Sequence, residues 1–257
     1  MKVSLITVCF RSAGVIRSAI ESVLAQKGVD VDYIVVDGGS NDGTVEILKD
    51  YESKFAGRMR WISERDEGMY DALNKGIKMA KGDVVGILNA DDILEDENTL
   101  AFIASSFEPG VDCVYGDIRF VRGESKKTTR YYSSKRWRPW MHNWGFMPAH
   151  PSVYVRREVF DQVGGYKLGY DISADFEWMV RLLCKARVKA RYLPRSIVTM
   201  RLGGKSTAGL KAMLKLNREN VRANRENGYF CCLPMMLPKY FFKIWGYIFR
   251  KNSRKAH

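Results

Sequence analysis

Long apolar runs are missing from this 257-residue chain: no stretch of about eighteen apolar residues is free of charge, the minimum for a helix that crosses a bilayer. The nearest approach, residues 233–249, is interrupted by Lys239 and Lys243. Cysteine is scarce and scattered. Cys9, Cys113, Cys184, Cys231 and Cys232 are odd in number and form no Cys-x-x-Cys pair, so neither a disulfide framework nor a zinc site is indicated, and a reduced compartment is expected. The apolar run 3–10 follows one Lys and stops at Arg11 without a cleavage pattern, so no signal peptide is expected. Repeats and low-complexity stretches are absent. So is a phosphate-binding Gly-x-Gly-x-x-Gly loop, and the Walker-like Gly203-Gly204-Lys205-Ser206 has Thr199 where its first glycine belongs. A soluble or peripheral protein is expected.

What is present is an ordinary globular balance, 46% apolar and 28% charged residues, with an unusual net charge of +13. That charge is concentrated. Residues 201–257 carry thirteen Lys and Arg against only Glu219 and Glu226, so the first 200 residues are nearly balanced. The chain reads as a neutral body with a basic tail.

Strand-like and helix-like periods alternate through the first 120 residues. Residues 3–10 form a β-rich run suited to a strand buried on both faces. Val15, Ile16, Ala19, Ile20, Val23 and Leu24 then recur at helical spacing, with Ser12 as a possible N-cap and Gly28 as a stop. Strands are predicted near 32–37, 59–63, 84–89 and 113–115, and helices near 43–55, 69–81 and 97–107. Such alternation indicates a doubly wound parallel sheet, which binds ligands at the carboxyl ends of its strands. Residues 119–147 break the pattern with eight Lys and Arg among five Tyr and Trp, and an irregular or β-rich segment is expected. Helical periods return at 156–163 and 175–185, followed by a strand near 190–193.

Several polar residues fall where a sheet of this kind places its ligand. Asn89-Ala90-Asp91-Asp92 follows an apolar strand, and adjacent carboxylates there suit either a helix N-cap or a hard divalent cation shared with a phosphate. Asp37 and Asp66 fall at or after strand ends on the same edge, where crowded like charges favour a cation or a hydrogen-bonding ligand. Tyr70 and Asn74 stand one turn apart, and Asn in mid-helix calls for a side-chain partner. Asp175 opens a helix after Ser173, as a cap or as a general base. His150 precedes Pro151 in a loop-like segment and is either structural or a ligand contact.

Taken together, these pieces resemble the family 2 glycosyltransferases, inverting enzymes of the GT-A fold that act in bacterial polysaccharide synthesis. The resemblance rests on residues 5–10, 35–44, 63–76, 81–83, 88–92, 150–152 and 173–177, in the family's order, and spans roughly residues 1–205. It implies a GT-A domain over 1–205, a Rossmann-like, mostly parallel sheet flanked by helices. The nucleotide-sugar half would cover about 1–118 and the acceptor half about 119–205, with residues 206–257 as a basic helical extension. Thr7, Phe10, Asp37, Asp66, Tyr70, Asn74, Asp91 and Lys205 would serve the nucleotide-sugar, with Asp37 on the base and Gly203-Gly204-Lys205-Ser206 closing over the diphosphate. Asp92 would ligate Mg²⁺ or Mn²⁺, with Asp91 beside it, and Asp175 would be the catalytic base. His150 is a possible acceptor or diphosphate contact. Two positions depart from the family's pattern: Asn89 replaces the first Asp of the metal motif, and Ala174 removes a carboxylate beside the base.

The implied reaction moves a sugar, with a UDP-sugar favoured, to a hydroxyl of a glycan acceptor of the lipid-linked kind used for O-antigen or exopolysaccharide. In the tail, Tyr240, Phe241, Ile244, Tyr247 and Ile248 share a helical face among cations, which suits an anionic membrane surface on the cytoplasmic side. A C-terminal helix packed on the body is the other reading. Two further functions compete. A sugar-phosphate nucleotidyltransferase would need a Gly-rich N-terminal loop with Arg and Lys, which residues 7–17 lack. A nucleic-acid-binding protein fits the isoelectric point near 9.5 but not the acidic crevice, so no nucleic-acid partner is expected.

Overall fold

The computed structural model describes residues 1–123, 127–202 and 209–240. The first half builds as the periodicity predicts. Strands β1 (Lys2–Cys9), β2 (Asp30–Asp37), β3 (Met59–Ser63) and β4 (Val84–Ile87) pair in parallel in the order β3-β2-β1-β4. Helices α1 (Ile16–Leu24), α2 (Thr44–Glu52) and α3 (Met69–Met79) connect them. β1 and β2 are almost wholly buried, as a strand covered on both faces must be, and their Val, Ile and Leu fill the core. Ser12 does not cap α1 through its side chain. Its carbonyl accepts the N–H groups of Val15 and Ile16, while its hydroxyl turns back to the Phe10 carbonyl at 3.3 Å.

The second half departs from simple alternation. After the short β5 (Ile93–Leu94) and α4 (Thr99–Ser105), strand β6 runs from Cys113 to Arg122, well beyond the predicted 113–115. It forms a hairpin with β7 (Thr128–Tyr132), which resolves part of the basic aromatic segment into strand. Residues 153–156, partly read as the start of a helix, form β8 (Val153–Arg156), antiparallel to both β4 and β6, and only then does α5 (Val159–Val163) begin. Its four residues alternate too briefly for any period to register. Helix α6 (Ala174–Met179) widens into a π-helical turn, and β9 (Ala190–Leu202) extends the sheet as β8-β6-β9-β5. The whole is one curled, mostly parallel sheet flanked by helices.

Helix α7 (Leu210–Glu226), in the basic extension, packs on the body. Glu219 accepts the backbone N–H groups of Asp171, Ile172 and Ser173, and the Tyr170 hydroxyl donates to Glu226 at 3.0 Å. The Asn224 side chain, wholly buried, bonds the His142 ring. Through residue 240 the extension therefore follows the packed reading, and the rest of the proposed membrane face lies outside the described residues. Among the described residues, no helix is long and apolar enough to cross a membrane.

Candidate active site

The carboxyl ends of β1, β2 and β4 open on a cleft of about 1980 Å³, closed on its far side by the β6–β7 hairpin, residues 145–151, α6 and α7. At the end of β1 the chain turns out through Arg11, whose φ of +51° is rare for a residue with a Cβ. The Ser40 hydroxyl, 2.7 Å from the Arg11 N–H, holds the turn. The bend leaves Phe10 58% exposed as one wall of the cleft. Gly38 lies opposite: a Cβ there would stand 3.2 Å from Asp66 Oδ2 and 3.4 Å from Phe10, so a side chain would crowd both. Asp66 is fixed by Lys75 Nζ at 2.5 Å. Its carboxylate, with that of Glu64, holds the Lys75 ammonium above its ordinary range.

Three residues expected in the pocket lie behind it. The carboxylate of Asp37, fully buried, is consumed by the protein: it accepts from the N–H groups of Gly39 and Ser40 and from the hydroxyls of Ser40 and Ser63, at 2.5 to 3.1 Å. It shapes the Gly38-Gly39-Ser40 turn and does not face the cleft. Thr7, also fully buried, accepts the Tyr33 hydroxyl at 3.1 Å. Asn74 has the partner its mid-helix position called for, but that partner is backbone: its amide donates to the Tyr166 carbonyl and accepts the Tyr166 N–H, both at 2.8 Å. Lys205 and the rest of 203–208 lie outside the described residues.

Beyond β4, Asn89 and Asp91 line the cleft, while Asp92 is fully buried behind them. The Asn89 amide donates to Asp92 Oδ2 at 2.7 Å, and Asp92 Oδ1 has no hydrogen-bond partner among the described residues. Burial, with the Asp91 charge next to it, pushes the Asp92 carboxyl up to about 7. Asp91 is thus the carboxylate presented to the cleft, with Asp92 behind it. An orphaned buried oxygen beside a second carboxylate fits a divalent cation, which needs only one or two carboxylates when phosphate oxygens complete its shell. Among the described residues no group of three or more His, Cys, Asp and Glu is arranged to hold a metal.

Across the cleft, Asp175 enters at the start of α6. Its Oδ1 accepts the Phe176 N–H at 2.8 Å, and the Tyr70 hydroxyl stands 3.4 Å away while donating to the Ile172 carbonyl at 2.6 Å. Burial raises the Asp175 carboxyl, against the opposing pull of the nearby His150. His150 lines the cleft with one ring nitrogen, Nε2, 2.7 Å from the Tyr166 hydroxyl, and burial holds its imidazole below the usual range, against the pull of Asp175. The cations Arg11, Arg65 and Arg201, none singled out from the sequence, also line the cleft and suit a diphosphate. Their signal is weak: Arg11 follows the β1 run, Arg65 lies inside the 63–76 motif and Arg201 inside β9, positions where any Arg could simply be solvated.

Residues 4–167 match the family described as Glycosyl transferase family 2. A PGL/p-HBAD biosynthesis glycosyltransferase of Mycobacterium tuberculosis is 30% identical over 198 residues, 74% of this chain and 73% of that protein. The S. aureus TarS fragment crystallised with UDP-GlcNAc superposes at a TM-score of 0.65 and 15% identity, over 87% of this chain and 66% of that one. Against a longer TarS structure this chain spans 39% of the length. The mannosyltransferase PcManGT of Pyrobaculum calidifontis, in complex with GDP-Man and Mn²⁺, gives a TM-score of 0.60 at 18% identity, over 91% of this chain and 72% of that one. At such identities these structures speak for the fold, which is GT-A. The chain is a transferase enzyme and belongs to glycosyl transferase family 2.

Proposed function

We propose that the cleft transfers a sugar from a nucleoside diphosphate donor, a UDP-sugar in the first instance, to a hydroxyl of a lipid-linked glycan at an anionic membrane surface, with inversion at the anomeric carbon. The observation that carries this reading is the placing of Asp175 and Asp91 on one cleft. One is a half-buried carboxyl raised by its surroundings and suited to take a proton; the other is a half-buried carboxylate on the cleft wall suited to a phosphate-bound cation.

Phe10, Asp66 and Gly38 would frame the nucleotide, and Arg11, Arg65 and Arg201 the diphosphate. The hydrogen bonds accepted by Asp175 fall on Oδ1, which leaves Oδ2 for the acceptor hydroxyl. As the acceptor oxygen forms its bond to the anomeric carbon, the bond to the diphosphate breaks and the hydroxyl proton passes to Asp175. His150, held from behind by the Tyr166 hydroxyl, lines the cleft in electrostatic reach of Asp175. Asp91, with Asp92 behind it, would hold Mg²⁺ or Mn²⁺, which when bound supplies Lewis-acid stabilisation of the departing diphosphate.

The relatives support a sugar donor carried on a nucleotide: the TarS fragment is in complex with UDP-GlcNAc and PcManGT with GDP-Man. The test is a thermal-shift panel of UDP, GDP, dTDP, CMP and ATP with and without Mn²⁺. Ligand at a hundred times its Kd adds about 2.7 kcal/mol. A Mn²⁺-dependent shift for one nucleoside diphosphate is expected; no response to any nucleotide would overturn the reading.

A further inference from the structure

The aromatic segment after β7 and the C-terminal extension meet on the outside of the molecule. Cys231 Sγ lies 3.4 Å from the Asn143 carbonyl, and the rings of His142 and Tyr229 are 4.4 Å apart. Any Cβ on Gly145 would stand 2.8 Å from Met236 Sδ. A third segment joins them: Cys184 Sγ reaches the Pro139 carbonyl at 3.6 Å, and Arg187 acts electrostatically on Tyr229.

These packed segments carry large apolar side chains that the core does not use. Trp140 is 63% exposed, Phe230 79% and Leu237 53%, with Trp144 and Leu233 also exposed. Nothing in the packing of a water-soluble face calls for two tryptophans and a phenylalanine so exposed.

The same segments carry few acids, and Glu226, next to Arg225, is already tied to Arg222, Lys167 and Tyr170. Asp and Glu are absent between Glu124 and Glu158, between Glu177 and Glu219, and after Glu226. Arg136, Arg138, Lys185, Arg187 and Arg225 are exposed there. Arg138 donates to the Lys135 and Trp137 carbonyls and Arg225 to that of Cys231, which leaves their charges uncancelled.

We propose that Trp140, Trp144, Phe230, Leu233 and Leu237, with the surrounding arginines and Lys185, form the face that docks on an anionic phospholipid bilayer. Tryptophan prefers the headgroup level, where its ring is buried and its N–H stays wet, and clustered cations are drawn to anionic lipid. This face is continuous with the reaction cleft. Gly145, Phe146 and Met147 follow Trp144 into it, and Lys239 and Tyr240 follow Leu237. Docking would therefore set the acceptor side of the cleft against the bilayer, where a lipid-linked acceptor is anchored. The inference deepens the proposed function and rests on its membrane-bound acceptor.

The test is co-sedimentation of the full chain with vesicles of phosphatidylglycerol and phosphatidylcholine, against phosphatidylcholine alone, with UDP–Mn²⁺ binding measured in parallel. Strong binding to the anionic vesicles is expected, weakened at least tenfold by 0.5 M salt. The triple variant Trp140→Ser, Phe230→Ser, Leu237→Ser should lose binding tenfold or more at unchanged Tm, since all three side chains are exposed. The pair Arg136→Gln, Arg138→Gln should lose the preference for anionic lipid. The proposal is overturned if the wild type ignores anionic vesicles, or if the triple variant binds them equally. It is also overturned if the same substitutions only dissociate a dimer, or if unrelated RNA competes the vesicles away while the triple variant still binds RNA. Vesicle binding without nucleotide binding would remove the proposed nucleotide-sugar reaction and leave the docking face standing; the converse would remove the docking face alone.

Discussion

Glu219 of α7 accepts the Ser173 N–H at 2.9 Å, immediately before the helix turn that presents Asp175. The same carboxylate takes the N–H groups of Ile172 at 2.9 Å and Asp171 at 3.2 Å. A residue in the basic extension thus caps the approach to the proposed base, and Tyr70 braces it from the other side through the Ile172 carbonyl.

Replacing Glu219 by Ala strands three N–H groups at once. A stability loss of about 1–3 kcal/mol is expected, read from denaturant midpoints. Because Glu219 acts only through the backbone before Asp175, kcat should fall while the affinity for nucleotide stays. Glu219→Gln keeps an acceptor oxygen and should recover part of both. Equal losses in nucleotide affinity and kcat would place Glu219 elsewhere in the mechanism.

Asp175→Asn should leave nucleotide binding intact and reduce transfer by a factor of about 10² to 10⁴, the usual contribution of a positioned base. The wild-type rate should show an acid limb above the ordinary aspartate range, because burial raises this carboxyl and only its ionised form accepts the proton. A variant that turned over normally, or a rate independent of pH down to the ordinary aspartate range, would rule out this base.

Asp92 offers a test that needs no substrate. Its carboxyl, near 7 when folded, holds its proton more tightly than in the unfolded chain, where the ordinary value is 3.8. The metal-free protein is therefore most favoured by this group below about 4 and loses that contribution as pH rises through 7. The change is roughly 4 kcal/mol. Asp92→Asn should flatten that part of the pH–stability curve, and Mn²⁺ should restore wild-type stability at pH 8 but not that of the variant. A wild-type curve flat between pH 4 and 8 would contradict the buried, orphaned carboxylate.

The sequence located the edge of the sheet better than the direction of its side chains. Phe10, Asp66, Asp91 and Asp175 follow strand ends or open helices, and those boundaries are written in periodicity and turn residues; all four line the cleft. Thr7 lies within β1 and Asp37 is the last residue of β2, where one residue of phase decides between core and cleft, and a strand buried on both faces gives no alternation to read. Asn74 was legible as a side chain in need of a partner, but the Tyr166 backbone that satisfies it is distant in sequence. Nor does any local period show that α7 returns to Asp171, Ile172 and Ser173.

Gly86 connects this packing to the site. It pairs with Tyr154 across β4 and β8, and a Cβ added there would lie 2.1 Å from the Tyr154 ring. Tyr154 is fully buried, so its ring has no solvent to move into. Gly86→Ala should cost about 1–3 kcal/mol, the usual penalty for overpacking a core, and lower Tm by several degrees. The two strands forced apart lead directly to function: β4 runs on to Asn89 and Asp91, and β8 follows the His150 turn. Nucleotide binding with Mn²⁺ should therefore weaken in this variant even at temperatures where it remains folded. Adding Tyr154→Leu should recover stability and nucleotide binding together, a positive coupling in the double-mutant cycle. Stability restored without nucleotide binding would show that the Asp91 edge does not depend on the β4–β8 contact.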